Sequence, residues 1–367
     1  MSRHVLVIGA GVIGLTTAVT LLKKGLRVTI AADRFPPDLT SVVAGALWEW
    51  PPAVCGHHRD QSSLSRSKEW CMASYRAFAD LARDPARGVF MRQSIFYFHQ
   101  PITPHSRHWS KMEEVRTNVP GFRHGASLIQ EQGINPDYGV VDAYAHLAPM
   151  IDTDVYLEWL RREADRHNCI WVTRRISAKL IECAAELQSE FKADVIINCT
   201  GLGAKELGDG SVYPLRGALV RVLNTLNPPL ENAHCVSASD NSEDMVFIVP
   251  RGRGLVVLGG LIEPEEWTTE IGLANYAPIR RMYERCIEFL PRLRSAAIDE
   301  TEPVRVGLRP ARRENVRLEW EQGMPVIHCY GHGGSGVTLS WGCAAEVAAM
   351  VLGDRRPELQ QASDDPK

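Results

Sequence analysis

The segment His4-Val-Leu-Val-Ile8 followed at once by Gly9-Ala-Gly-Val-Ile-Gly14 decides the fold. Five apolar or β-favouring residues read as a short, fully buried strand, and GxGxxG opens directly onto a helical pattern. Val12, Leu15, Ala18, Leu21 and Leu22 recur at helical spacing, and Gly25 is a natural stop. Arg27-Val-Thr-Ile-Ala-Ala32 then reads as a second strand, with Asp33 at its end. In such a β-α-β unit Gly9 permits the tight turn, Gly11 lets the backbone approach a pyrophosphate, and Gly14 lets helix and strand pack closely. The helix start offers free N–H groups and a positive dipole end to phosphates. Asp33, 19 residues after Gly14, is placed to accept hydrogen bonds from ribose hydroxyls. The motif predicts dinucleotide binding without separating FAD from NAD.

Working outward, residues 35–66 are rich in Pro, Ser and Gly and are expected to be mostly loop. Helices are expected over 67–83, 155–168 and 275–291. Strand patterns occupy 88–98, 194–199, 213–223 and parts of 245–262. The end of the chain repeats the opening logic: a strand at 325–329, a glycine-rich turn, and a helix from about 338 to 351. Two nucleotide-binding pieces at opposite ends imply an α/β protein with a discontinuous Rossmann-type cofactor domain (1–50, 145–210 and 300–353). An inserted α+β substrate domain on a mixed or antiparallel sheet (51–144 and 211–299) and a polar tail (354–367) complete the expected organisation.

The 367 residues suffice for about two domains. Hydrophobic residues at 45% and charged residues at 23% are ordinary globular usage. A net charge of −3 lacks the basic footprint of a nucleic-acid binder. No apolar run approaches the roughly 20 residues of a membrane span, and the start reads as a strand rather than a secretion signal. The nine cysteines are scattered without a CxxC, which suggests buried free thiols. These features, with no Ser-Lys-Leu terminus, point to a cytoplasmic chain. The loop Cys55-Gly-His57-His58 supplies too few ligands at coordinating spacing for a metal, so none is expected.

Five further stretches carry a resemblance. ADRFPPDLTSVVAGALW (32–48), DVIINCTGLGA (194–204), FIVPRGRGLVVLGG (247–260), VGLRPARRENVRLE (306–319) and VIHCYGHGGSGVTLSWGCAAE (326–346), with the opening turn, resemble the D-amino acid oxidase and D-aspartate oxidase family over nearly the whole chain. The resemblance implies FAD. Gly9, Gly11, Val12, Ile13 and Gly14 would hold its pyrophosphate, and Asp33 and Arg34 the adenosine ribose and a nearby phosphate. Thr40, Ser41, Gly45, Ala46 and Leu47 would line the phosphate and flavin region. Gly333, Gly334, Gly336, Val337 and Thr338 would face the flavin ring.

It further implies that Arg309 grips a substrate carboxylate, a task suited to planar bidentate pairing, and that the Gly334 carbonyl accepts a hydrogen bond from the substrate amine. Ser335 would line the same pocket. The implied reaction oxidises a D-amino acid with O2 as acceptor; a homodimer is compatible with this class. The chain departs from the pattern at Phe247 and Glu243, where the family has tyrosines, and at Leu261 and Ile262, where D-aspartate oxidase places an arginine. Glu49, at the start of the side-chain pocket, could pair with a basic or polar substrate end. Neutral or basic D-amino acids are therefore expected in preference to acidic ones. Alternatives are an oxidase of glycine or of an N-methyl or cyclic amino acid, a flavin dehydrogenase, and a non-catalytic FAD-binding protein.

Overall fold

A computed structural model describes residues 2–53, 56, 58–236 and 245–353. Cys55, His57, Glu243 and the polar tail 354–367 lie outside the described residues. In chain order the strands are β1 (His4–Ile8), β2 (Arg27–Ala32), β3 (Val89–Phe98), β4 (Arg123–His124), β5 (Asp142–Ile151), β6 (Ile170–Thr173), β7 (Val195–Asn198), β8 (Val212–Leu223), β9 (Ala233–Val236), β10 (Val246–Arg251), β11 (Leu255–Gly259), β12 (Glu263–Pro264), β13 (Val304–Arg312), β14 (Arg317–Trp320) and β15 (Val326–Tyr330). The helices are α1 (Val12–Lys23), α2 (Thr40–Val43), α3 (Gln61–Leu81), α4 (Trp109–Asn118), α5 (Ser127–Glu131), α6 (Thr153–Arg166), α7 (Leu180–Phe191), α8 (Ala277–Phe289) and α9 (Gly336–Leu352).

Among the described residues the strands form two sheets. The first has the order β14-β15-β7-β1-β2-β6, with β1 parallel to both β2 and β7. Every residue of β1 is buried, as expected for a strand covered on both faces. Helix α1 is buried nearly all round and packs on α6 and α9. The second sheet has the order β12-β8-β11-β10-β9-β3-β5-β4, with β13 also paired to β8.

The second sheet shows clean alternation. Ile95, Val220, Ile248 and Leu258 point to a core shared with Met282, Cys286 and Phe289 of α8. Their neighbours Phe96, Leu219, Phe247 and Val257 belong instead to the core that continues to β1 and α1. Successive strand residues face opposite sides, so this register fixes which residues reach the space between the sheets.

Three expectations meet a different outcome. The 35–66 loop ends earlier than expected: α3 begins at Gln61, because the Asp60 carboxylate accepts the Ser63 N–H (2.7 Å) and so caps the first turn. The expected boundary at 144/145 falls inside β5, which pairs with β3 along its whole length. β13, expected with the cofactor domain, pairs with β8 in the second sheet; its Pro310 is tolerated there because β13 has a partner on only one side. Gly333–Leu352 is long and apolar enough to cross a membrane, yet 67% of its apolar window is buried in the fold, as in a core helix. The eight described cysteines are free thiols.

Candidate active site

The opening turn is built by steric necessity. Gly9 has φ of +104°, and a Cβ there would lie 2.6 Å from the Cys199 carbonyl oxygen. A Cβ on Gly14 would sit 2.0 Å from the Gly9 carbonyl oxygen, so helix and turn touch only because residue 14 has no side chain. Gly14 does not line the cavity in front of the turn; its place is in the packing behind it. Ser41 Oγ accepts the Val12 N–H at 3.0 Å, tying α2 to the start of α1.

That cavity has a volume of about 1180 Å³, at or above the upper end of the range typical of ligand pockets. Gly9, Gly11, Val12, Ile13, Asp33 and Arg34 line it. So do Thr40, Ser41, Gly45, Ala46 and Leu47, together with Gly333, Gly334, Gly336, Val337 and Thr338. Glu49, Phe247, Arg309 and Ser335 also line it. The structure thus brings every expected site residue except Gly14 to one cavity, although they lie up to 329 positions apart in sequence (Gly9 to Thr338).

The Thr40–Leu47 wall is held from behind. Arg251, buried on β10, donates to the carbonyls of Ala44 and Ile151 and, at 3.0 Å, to Thr153 Oγ1. Ala46 has φ of +50°, and its carbonyl accepts the Ile151 N–H at 3.0 Å; Trp48 N–H donates to Pro149 at 3.0 Å. Across the cavity, β15 runs through Gly331, with φ of +84°, into the turn Gly333–Ser335 and then α9. Neither α1 nor α9 is capped by its own N-cap side chain or carries an acidic residue in its first turn, so no negative charge from the helix itself offsets the two positive ends on the cavity. This donor set fits a dinucleotide with an anionic bridge and a second electron-rich group near α9.

Arg309 lies on β13 opposite Leu215 of β8. Its Nη1 donates to the carbonyls of Arg216 (3.2 Å) and Leu261 (3.3 Å), and no carboxylate among the described residues is within ion-pair distance. The guanidinium rests on Gly217, where a Cβ would come within 2.2 Å of Nη1. Phe247 packs its ring on Gly45 and Gly259. Glu49 is not a free carboxylate: its Oε1 accepts from Lys111 Nζ of α4 at 2.6 Å.

Beneath the glycine turn the ligand atoms of Cys329, His332 and Cys343 lie within 4.8 Å of one another, with His332 Nε2 3.5 Å from Cys343 Sγ. Burial holds the His332 imidazole down at about 4; against the lowering effect of its hydrogen bond with Cys199, the hydrogen bond with Cys343 and burial together push the Cys329 thiol well up, so at neutral pH these two carry no charge. Sequence reasoning missed this cluster, Lys111, Arg251 and Gly217. Only tertiary proximity gives them meaning; Lys111 is 62 residues from its partner.

The profile of the family described as FAD dependent oxidoreductase matches residues 4–350. D-amino-acid oxidase of Rubrobacter xylanophilus is 37% identical over 349 residues, covering 94% of each chain. D-aspartate oxidase of Homo sapiens is 32% identical, covering 95% of each.

The chain belongs to the D-amino acid oxidase family of FAD-dependent oxidoreductases.

Among solved structures, glycine oxidase from Geobacillus kaustophilus shares the fold with a TM-score of 0.74 at 15% identity, covering 97% of this chain and 96% of that one. This FAD-dependent oxidoreductase therefore has FAD as its cofactor, in agreement with the two helix starts and the glycine turns that meet at the cavity.

Proposed function

We propose that this oxidoreductase oxidises a D-amino acid to the imino acid, which hydrolyses to a 2-oxo acid and ammonia, while O2 is reduced to hydrogen peroxide. The observation that carries the reading is Arg309. A half-buried guanidinium without a carboxylate partner among the described residues faces a cavity that also contains the exposed Gly334. That is the arrangement needed to hold one carboxylate beside one amine.

Bound FAD supplies a two-electron acceptor for the hydride leaving the substrate α-carbon. The chain's own residues bind and orient. Gly9, Gly11, Val12 and Ile13 would hold the pyrophosphate at the start of α1, and Asp33 and Arg34 the adenosine ribose and a nearby phosphate. Thr40, Ser41, Gly45, Ala46 and Leu47 would line the phosphate and flavin region. Gly333, Gly336, Val337 and Thr338 would present the positive end of α9 to the electron-accepting ring. Arg309 pairs with the substrate carboxylate, and the Gly334 carbonyl accepts a hydrogen bond from the amine. Ser335 and Phe247 form the adjoining walls.

Neutral D-amino acids are favoured over acidic ones. After Gly260, where D-aspartate oxidase places an arginine, the chain has Leu261 and Ile262, so no guanidinium is supplied there to a second carboxylate, and desolvating one without a partner is costly. An expectation of basic substrates rested on a free Glu49; the Lys111 contact removes that basis. The test is peroxide release from D- and L-forms of alanine, glutamine, lysine and aspartate, with glycine. D-alanine and D-glutamine should be oxidised and D-aspartate scarcely. Preference for L-forms, or D-aspartate as the best substrate, would overturn the reading.

A further inference from the structure

The substrate-facing side of the second sheet carries one cross-strand row. Phe96 of β3 pairs with Cys235 of β9, Cys235 with Phe247 of β10, and Phe247 with Gly259 of β11. Phe96, Cys235 and Phe247 all line the cavity. From Phe247 to Phe96 is two strand spacings, about 10 Å. A row of that length matches an extended side chain, and it lines the same cavity as Arg309. At the Phe96 end of the row lies Glu49, which also lines the cavity and whose partner Lys111 sits over the Phe96 ring.

There Glu49 and Lys111 form a preformed pair, each side chain only 18% exposed. Lys111 Nζ is held from three sides: Glu49 Oε1 at 2.6 Å, the Pro52 carbonyl at 2.9 Å and the Phe96 ring at 5.8 Å. Glu49 Oε2 accepts no hydrogen bond among the described residues.

We propose that the Glu49–Lys111 pair determines substrate choice at this end of the cavity, selecting a long, uncharged side chain that ends in a hydrogen-bond donor, above all a primary amide. The proposal rests on the D-amino acid oxidase reading. An amide N–H₂ can donate to Glu49 Oε2 while the pair stays neutral. A cationic side chain must share Glu49 with Lys111 and meets like-charge repulsion. An anionic one meets the free carboxylate oxygen. An apolar one leaves that oxygen desolvated and unpaired. The pair thus rejects both signs of charge, and removing either member unmasks the other.

The experiment compares kcat/KM, by peroxide release from the FAD-loaded enzyme, for D-glutamine, D-lysine, D-glutamate and D-norleucine. In the unaltered enzyme D-glutamine should exceed both charged substrates at least tenfold and should exceed D-norleucine. Lys111→Met should raise the D-lysine to D-glutamate ratio at least tenfold, and Glu49→Gln should lower it at least tenfold. The double variant should return the ratio to near its starting value. Ratios within threefold of the starting value in both single variants, with the enzyme active, overturn the proposal. So does D-norleucine matching D-glutamine in the unaltered enzyme, a comparison that decides the matter even where a variant fails to fold. No peroxide from any D-amino acid overturns the oxidase reading itself, and the proposal with it.

Discussion

Arg309 is placed by contact more than by charge. Its guanidinium lies flat on Gly217 and is steered by two backbone carbonyls, so its open face remains for a ligand. Arg309→Ala should raise KM sharply and lower kcat/KM about a hundredfold, a loss of roughly 3 kcal/mol expected when one partner of a charged pair is removed. The flavin absorbance should survive, because Arg309 is no part of the proposed cofactor-binding turns. Wild-type kinetics would reject the assignment. Gly217 gives a sharper check. Its φ is not in the left-handed region, and the three atoms nearest a new Cβ would all belong to the Arg309 guanidinium, with Cζ at 2.4 Å. Gly217→Ala should therefore reproduce much of the Arg309→Ala effect on KM, and the two substitutions together should cost little more than one. Additive losses would show that Gly217 acts by another route.

Among the elements, the loop from α2 to Trp48 depends most on its surroundings. It carries a non-glycine residue at positive φ, Ala46, and its carbonyls at 44 and 46 are satisfied by Arg251 and by β5. Burial lowers the Arg251 pKa only to about 10, so the guanidinium remains charged at neutral pH and donates in full. Arg251→Met should cost about 1–3 kcal/mol for each carbonyl left unpaired. The expected result is a lower melting temperature and an FAD dissociation constant raised at least tenfold, both readable by thermal shift with and without added FAD. Unchanged FAD affinity would mean that the β5 hydrogen bonds hold the loop without Arg251. Helix α3 shows a comparable dependence: Gly342 of α9 allows such close approach that a Cβ would lie 2.3 Å from Trp70 Cα, and Ser74 Oγ accepts the Gly342 N–H at 3.0 Å.

For the molecule as a whole, three buried histidines set an acid limit. Burial lowers His146 and His332 to about 4 and His234 to about 3, against an ordinary value near 6.5. Each is neutral in the fold and takes up a proton on unfolding at any pH between its folded value and 6.5. Their contribution to stability is therefore complete above about 6.5 and is lost as pH falls through that window, by up to about 1.4 kcal/mol per pH unit for each. Melting temperature should drop by several degrees between pH 7 and pH 5. A flat profile over that range would show that the imidazoles are protonated within the fold.

The sequence by itself determined the opening β-α-β unit, the glycine turn, the closing strand–turn–helix and, through family motifs, the residues that gather at the cavity. These are local signals: hydrophobic period, backbone freedom at glycine, and short contiguous motifs. Only the tertiary structure decided what register and long-range packing control. β13 reads as an arginine-rich stretch with a proline, and its strand state comes from nine pairs with β8. α3 begins in a polar segment because Asp60 caps it and Trp70, Ser74 and Phe78 are buried, several of them against α9. Glu49 looks like a lone pocket carboxylate until α4 brings Lys111 to it across 62 residues. A side chain's charge environment is a property of its neighbours in space, and contacts of that span leave no periodic mark in the chain that makes them.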